Sequence, residues 1–187
     1  MDMVYKRTFI IQSVSIPNVI DKPDTNFLFQ AINGSGKTGA YGVPSLMKID
    51  KTIPKVQVII LANTRELIRQ IYGVLETFNS SLGVTLVLGE TKADITKAQI
   101  LITVPGYLKN KLNDRKFPID LSQLKLIVYD KADELQPERQ SRVLRQASRA
   151  SSEDRQKATA LHVLGHFQQR GDQVCKQVRR LFHSIHD

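Results

Sequence analysis

The chain has 187 residues, enough for one ordinary core that buries roughly two thirds of the unfolded surface. Cys175 is the only cysteine, so no intramolecular disulfide can form; this excludes the disulfide-stapled class and points to a reducing compartment, cytoplasm or nucleus. Lysine and arginine number 27 against 18 acids, a net charge of +9 that favours polyanionic partners, nucleic acid first, although a scattered basic surface without a partner has the same balance.

Residues 1–17 mix Lys6, Arg7 and Gln12 into their apolar positions and do not read as a secretory signal. No window approaches the ~20 apolar residues that span a bilayer, so membrane insertion is not expected. Short apolar runs at 27–30, 56–62, 84–88, 100–104 and 124–129 read as strands. Between them, 38–49, 65–78 and 107–112 carry apolar residues three or four apart, as helices packed on a sheet do. Alternation of this kind predicts an α/β fold, a parallel sheet with helices on both faces. Prolines 17, 23, 44, 54, 105 and 118 lie at or near the predicted boundaries. From Gln136 onward the texture turns polar and Arg-rich. Residues 138–149 predict a helix, 158–167 a strand or the start of a helix, and 173–185 a final helix after Gly171. The whole of 1–187 is expected to be one domain, with 136–187 its divergent C-terminal part.

The strongest chemical signal is the strand 27–30 running into Ala31-Ile32-Asn33-Gly34-Ser35-Gly36-Lys37-Thr38 and then a helix. This is the context of a phosphate-binding loop. Glycines let the backbone N–H groups of Asn33, Gly34, Ser35 and Gly36 converge on phosphate oxygens, and the helix N-terminus adds partial positive charge. Lys37 neutralises the outer phosphates, and the Thr38 hydroxyl is a ligand for Mg2+. Ala31 replaces the first glycine of the general pattern. Such a site also needs an acid at the end of a neighbouring strand to hold the metal through its waters, and Asp130, after 124–129, fits; an acid there is otherwise the N-cap of a following helix. Lys37 and Asp130 are therefore the candidate catalytic residues, and Thr38 and Asp130 the candidate metal-holding pair.

With these residues in place the chain resembles the DEAD-box ATP-dependent RNA helicases, in their first RecA-like domain, over nearly its whole length. The loop has the family's Ala-first form, and Asp130-Lys131-Ala132-Asp133 stands where the family carries Asp-Glu-Ala-Asp. Ile11-Gln12-Ser13-Val14-Ser15-Ile16-Pro17 is similar to the Q motif, which implies that Gln12 reads adenine. Asn63-Thr64-Arg65-Glu66-Leu67 resembles the family's Pro-Thr-Arg-Glu-Leu motif, implying that Thr64 and Arg65 grip RNA phosphates. Val104-Pro105-Gly106-Tyr107 is similar to Thr-Pro-Gly-Arg without its hydroxyl and guanidinium, and Gly89 marks an intervening glycine motif. The implied RNA set is thus Thr64, Arg65, Gly89, Pro105 and Gly106. Spacing between Gln12 and Lys37 resembles the messenger-RNA-export branch. Val163 to Phe167 lies where the family's Ser-Ala-Thr motif ends a strand, without either hydroxyl.

The resemblance implies ATP and Mg2+ as ligands, RNA as a partner, and a second RecA-like lobe or mRNA-export factors as protein partners. Lys131, where the family has the glutamate that orients water, defines the alternative: a degenerate module that binds nucleotide and RNA without hydrolysis. His162 and His166 are four apart and His183 and His186 three apart, with Cys175 between; if helical, each pair could face a metal, but with one thiol the ordinary surface or core reading is taken.

Overall fold

The computed structural model describes residues 9–22, 25–90, 94–114, 116, 119–131 and 159–164. Its elements in chain order are α1 (Ile10–Asp21), β1 (Phe27–Gln30), α2 (Lys37–Met47), β2 (Val58–Leu61), α3 (Arg65–Asn79), β3 (Leu86–Gly89), β4 (Ile100–Thr103), α4 (Pro105–Leu112), β5 (Leu126–Tyr129) and β6 (Thr159–Leu164). Six strands form one sheet in the order β1-β6-β5-β2-β4-β3, every neighbouring pair parallel.

The central strands β2, β4 and β5 are apolar at nearly every position because both faces are covered. Ile59, Leu61, Leu101, Ile127 and Tyr129 point to the face that carries Leu108 of α4. Val58, Ile60, Ile100, Ile102, Leu126 and Val128 point to the other, against Tyr41 of α2, Ile68, Ile71 and Leu75 of α3, and Val19 of α1. The expected alternation of strand and helix, with helices on both faces, is what the chain adopts.

Three differences from the sequence reading have physical causes. α1 was not expected as a helix. Its buried face is Gln12, Ser15 and Val19, two of the three polar, while Ile10 and Val14 are exposed, so apolar spacing conceals it. The ambiguous segment at 158–167 contains β6, slotted between β1 and β5; with His162 in a strand, the helical pairing with His166 is not available there. α4 begins at Pro105 rather than Tyr107, proline being suited to the first turn where no N–H is needed. Predicted elements at 138–149 and 173–185 lie outside the described residues, as do Asp133, His166, Cys175, His183 and His186. Among the described residues no helix is long and apolar enough to cross a membrane, and no group of three metal-ligating side chains occurs.

The end of the sheet where strands begin is cross-linked by amides. Gln57, Gln99 and Lys125 each precede a strand. Gln57 accepts from Asp50 N (2.8 Å) and Lys125 Nζ (2.8 Å) and donates to Asp50 O (2.7 Å) and Ile53 O (3.1 Å). Gln99 accepts from Thr85 N (3.0 Å) and donates to Lys51 O (3.2 Å) and Ile53 O (3.1 Å). Both glutamines are buried, and both ends of each amide are satisfied.

Candidate functional site

The loop from Ala31 to Gly36 leads from β1 into α2 at the carboxyl end of the sheet, where parallel α/β folds place their ligands. Gly34 (φ 77°) and Gly36 (φ 80°) are left-handed, which only glycine adopts without strain. At Gly36 a side chain is also excluded by space: a Cβ would stand 2.7 Å from both Gln12 Nε2 and a ring carbon of Phe9. Lys37 folds back over the loop and donates to Ala31 O and Ile32 O, both at 2.8 Å. Ser35 Oγ is buried without a hydrogen-bond partner.

α1 packs across this loop. Gln12 Oε1 accepts from Phe9 N (3.1 Å), closing the first turn of α1, and its Nε2 donates to Gly36 O (3.1 Å). One N–H and one lone pair of the amide remain for a ligand. Ser15 Oγ reaches Ala40 O (3.3 Å), and the missing side chain at Gly39 lets the two helices approach. Phe9, Ile10, Val14, Ile32, Asn33 and Ser35 line a cavity of about 540 Å³ beside the loop.

Asp130 follows β5, separated from the strand of the loop by β6 alone. The residue is 8% exposed. Oδ2 accepts from Tyr41 Oη (3.1 Å) and Oδ1 from Lys131 N (3.0 Å). Burial raises the Asp130 carboxyl above its ordinary value, opposed by the Tyr41 hydrogen bond, the Lys131 N–H and the charges of Lys37 and Lys131. The Tyr41 phenol is held well above its ordinary value by burial first and the Asp130 charge second. Lys131, where the family resemblance expects glutamate, has φ 52°, the one positive φ outside glycine among the described residues.

The second group of expected residues lies at the ends of β2, β3 and β4. Thr64 caps α3, its Oγ1 accepting from Leu67 N (3.2 Å); the hydroxyl proton stays available to a phosphate oxygen. Arg65 is the exposed first residue of α3. Pro105 and the exposed Gly106 form the first turn of α4, and a side chain at Gly106 would meet nothing within 4 Å. Gly89 ends β3 in register with Thr103 of β4. It is buried, its carbonyl accepts from Thr103 Oγ1 (3.0 Å), and the residue beside it at the surface is Glu90, paired through Oε1 with Arg69 Nε at 2.8 Å. Asn63 Oδ1 and Tyr107 Oη, at the two motif departures, are buried without partners.

A family model described as DEAD/DEAH box helicase matches residues 9–163. The chain belongs to the DEAD/DEAH box helicase family. Among curated relatives, the ATP-dependent RNA helicase DBP5 of Lodderomyces elongisporus is 32% identical over 137 residues, 71% of this chain and 26% of the relative. The corresponding protein of Mycosarcoma maydis is 34% identical over 71% of the chain and 30% of its own length. The resemblance to the messenger-RNA-export branch of DEAD-box helicases agrees with these relatives. The chain spans between a quarter and a third of their length. Among solved structures, Saccharomyces cerevisiae Dbp5 bound to Nup159, Gle1, IP6 and ADP has a TM-score of 0.77 at 24% identity, covering 95% of this chain and 46% of that one. DEAD-box helicase Mss116 bound to ssRNA and UDP-BeF has a TM-score of 0.78 at 20% identity, covering 98% and 39%. At such identities the likeness speaks for the fold, a RecA-like domain as expected.

Tyr41 and the Arg69–Glu90 pair were not singled out from the sequence. The only signal for Tyr41 is its place three residues after Thr38 on the buried face of α2, an aromatic with a polar tip where an aliphatic residue would pack as well.

Proposed function

We propose that this chain is the ATP-binding lobe of a DEAD-box RNA helicase, holding Mg-ATP in the Ala31–Thr38 loop and RNA phosphates at Thr64 and Arg65. The observation that carries the reading is the convergence of a glycine-shaped loop, Lys37, Thr38 and a buried carboxylate, Asp130, at one end of a parallel sheet. Backbone N–H groups from Asn33 to Gly36 and the start of α2 receive the phosphates, and Lys37 exchanges its two carbonyl partners for phosphate oxygens. Gln12, already tied to the loop through Gly36, turns its remaining amide groups to adenine. Phe9, Ile10 and Val14 give the base an apolar wall.

The donor set fits magnesium: the Thr38 hydroxyl and the Asp130 carboxylate are hard oxygen donors, and a charged, buried carboxylate beside a phosphate loop suits a divalent cation. When bound, the ion neutralises phosphate charge. Thr64 donates its free hydroxyl proton and Arg65 its guanidinium to RNA phosphates, which positions a strand without reading its bases. Pro105 and Gly106 offer a flat neighbouring surface. Gly89 supports this surface from beneath.

The family's second RecA-like lobe completes the RNA site, and partners of the kind bound to S. cerevisiae Dbp5 bind the assembled protein in the nucleus or cytoplasm. Calorimetric titration of the full chain with ADP and magnesium tests the nucleotide site. Lys37→Ala is expected to remove most of the binding, and equal affinity in the two proteins would overturn the assignment.

A further inference from the structure

Resting on that reading, a further role falls to Tyr41. This side chain is fully buried, yet its hydroxyl is no spectator of packing: it donates to Asp130 Oδ2 at 3.1 Å. Thr38 lies three residues before Tyr41 on α2, so the two side chains share one helix face. Asp130 comes from the end of β5, across the sheet, and its other oxygen is held by the Lys131 N–H at 3.0 Å.

The direction of these bonds matters. A carboxylate oxygen that accepts from a fixed donor has its remaining lone pair aimed in one direction. Tyr41 supplies that donor to Oδ2 and the Lys131 N–H supplies it to Oδ1. Phenylalanine would pack the same space but leave Asp130 Oδ2 without its donor.

We infer that Tyr41 is a positioning residue for the metal-holding carboxylate, giving its proton to Asp130 Oδ2 so that the carboxylate presents fixed lone pairs to the cation. It touches neither nucleotide nor metal. It acts through the group that does, as partners behind a ligand orient it elsewhere.

The test is Tyr41→Phe in the full chain, with ADP affinity measured calorimetrically at saturating magnesium and again in EDTA. The ratio of the two affinities isolates the contribution of the metal. It is expected to fall by about tenfold in the variant, the lower end of what losing an orienting partner costs a metal site. A role in packing alone would lower the melting temperature and leave the ratio unchanged, which would overturn the inference. Absence of any magnesium effect in the unmodified chain would instead overturn the metal assignment on which it rests. Should the variant not fold, the assigned 13Cζ resonance of Tyr41 in the unmodified chain gives the answer: it should shift when magnesium is added to the ADP complex, and a stationary resonance refutes the role.

Discussion

Gly89→Ala separates a buried spacer from an RNA contact. Gly89 ends β3 in register with Thr103 of β4, and a Cβ there would stand 2.5 Å from Thr103 Oγ1, 2.7 Å from Thr103 Cβ and 3.1 Å from Leu101 Cδ1. Thr103 is fully buried and branched at Cβ, so it cannot swing into solvent. Rotating its hydroxyl away forfeits the bond to Gly89 O, worth about 1 kcal/mol, and pushing the strands apart costs about 1 to 3 kcal/mol as overpacking. Replacing glycine in a strand returns about 0.5 to 1 kcal/mol of chain entropy. The net loss is about 1 to 3 kcal/mol, or a fall in Tm of about 2 to 12 °C for a chain of this size. Urea unfolding of Gly89→Ala, Thr103→Ala and the double variant measures it. The loss should shrink, though not vanish, when Thr103 is truncated, because the 2.5 Å clash and the hydrogen bond belong to Oγ1, while the 2.7 Å contact with Cβ survives in alanine. An undiminished loss in the double variant, or none in the single, refutes the reasoning.

Neutralising Glu90 should release Arg69 toward RNA: Glu90→Gln is expected to steepen the log–log salt dependence of single-strand binding from about −2, for three phosphates, to about −3. Anisotropy titrations at several salt concentrations check this, and an unchanged slope argues against Arg69 facing the RNA. Lys131→Glu, assayed with RNA and a matching second lobe, should raise ATP turnover toward the ~10² to 10⁴ factor a positioned base supplies; an unaltered rate places any shortfall elsewhere. Lys55 Nζ lies 2.8 Å from Asp120 Oδ2, and this hydrogen bond, followed by that from Ser122 N, depresses the Asp120 carboxyl to about 2. Because the folded value is below the unfolded one of about 3.9, the contribution is whole above pH ~4 and disappears as pH falls through about 2. Carboxyl titration by NMR should place the Asp120 midpoint well below the ordinary range, and an ordinary midpoint refutes the pairing.

The legible parts of the fold are those where one residue type serves one purpose. β2, β4 and β5 are buried on both faces, so Val58–Leu61, Ile100–Thr103 and Leu126–Tyr129 announce themselves as unbroken apolar runs. The phosphate loop is legible because left-handed glycines before Lys-Thr have few other uses. α1 inverts the rule: Gln12 and Ser15 face inward because they bond the loop and α2, while Ile10 and Val14 face out beside the cavity. No apolar period exposes such a helix. Asp130 was found by its position after a strand, but its partner Tyr41 lies 89 residues away, and nothing local marks a tyrosine that bonds a carboxylate. Gly89 is read from its motif as an RNA contact, and what the sequence does not reveal is its packing, where a side chain would meet Thr103 and Leu101.

The amide lattice beneath the sheet has a bearing on how far the opposite rim can drift. Gln57 and Gln99 grip the turn at 50–53, and Lys125 joins Gln57 from 68 residues away, so the bonds exist only when β2, β4 and β5 are aligned. Sliding any one of these strands by a residue would strand buried amides and turn each side chain to the wrong face. Alignment is thereby checked at the end remote from the ligands. Asn63, Val104, Tyr107 and Lys131, four departures from the family's motifs, sit at the other end, where the strands have already been registered. A substitution there changes the chemistry on offer without touching the bonds that register the architecture presenting it.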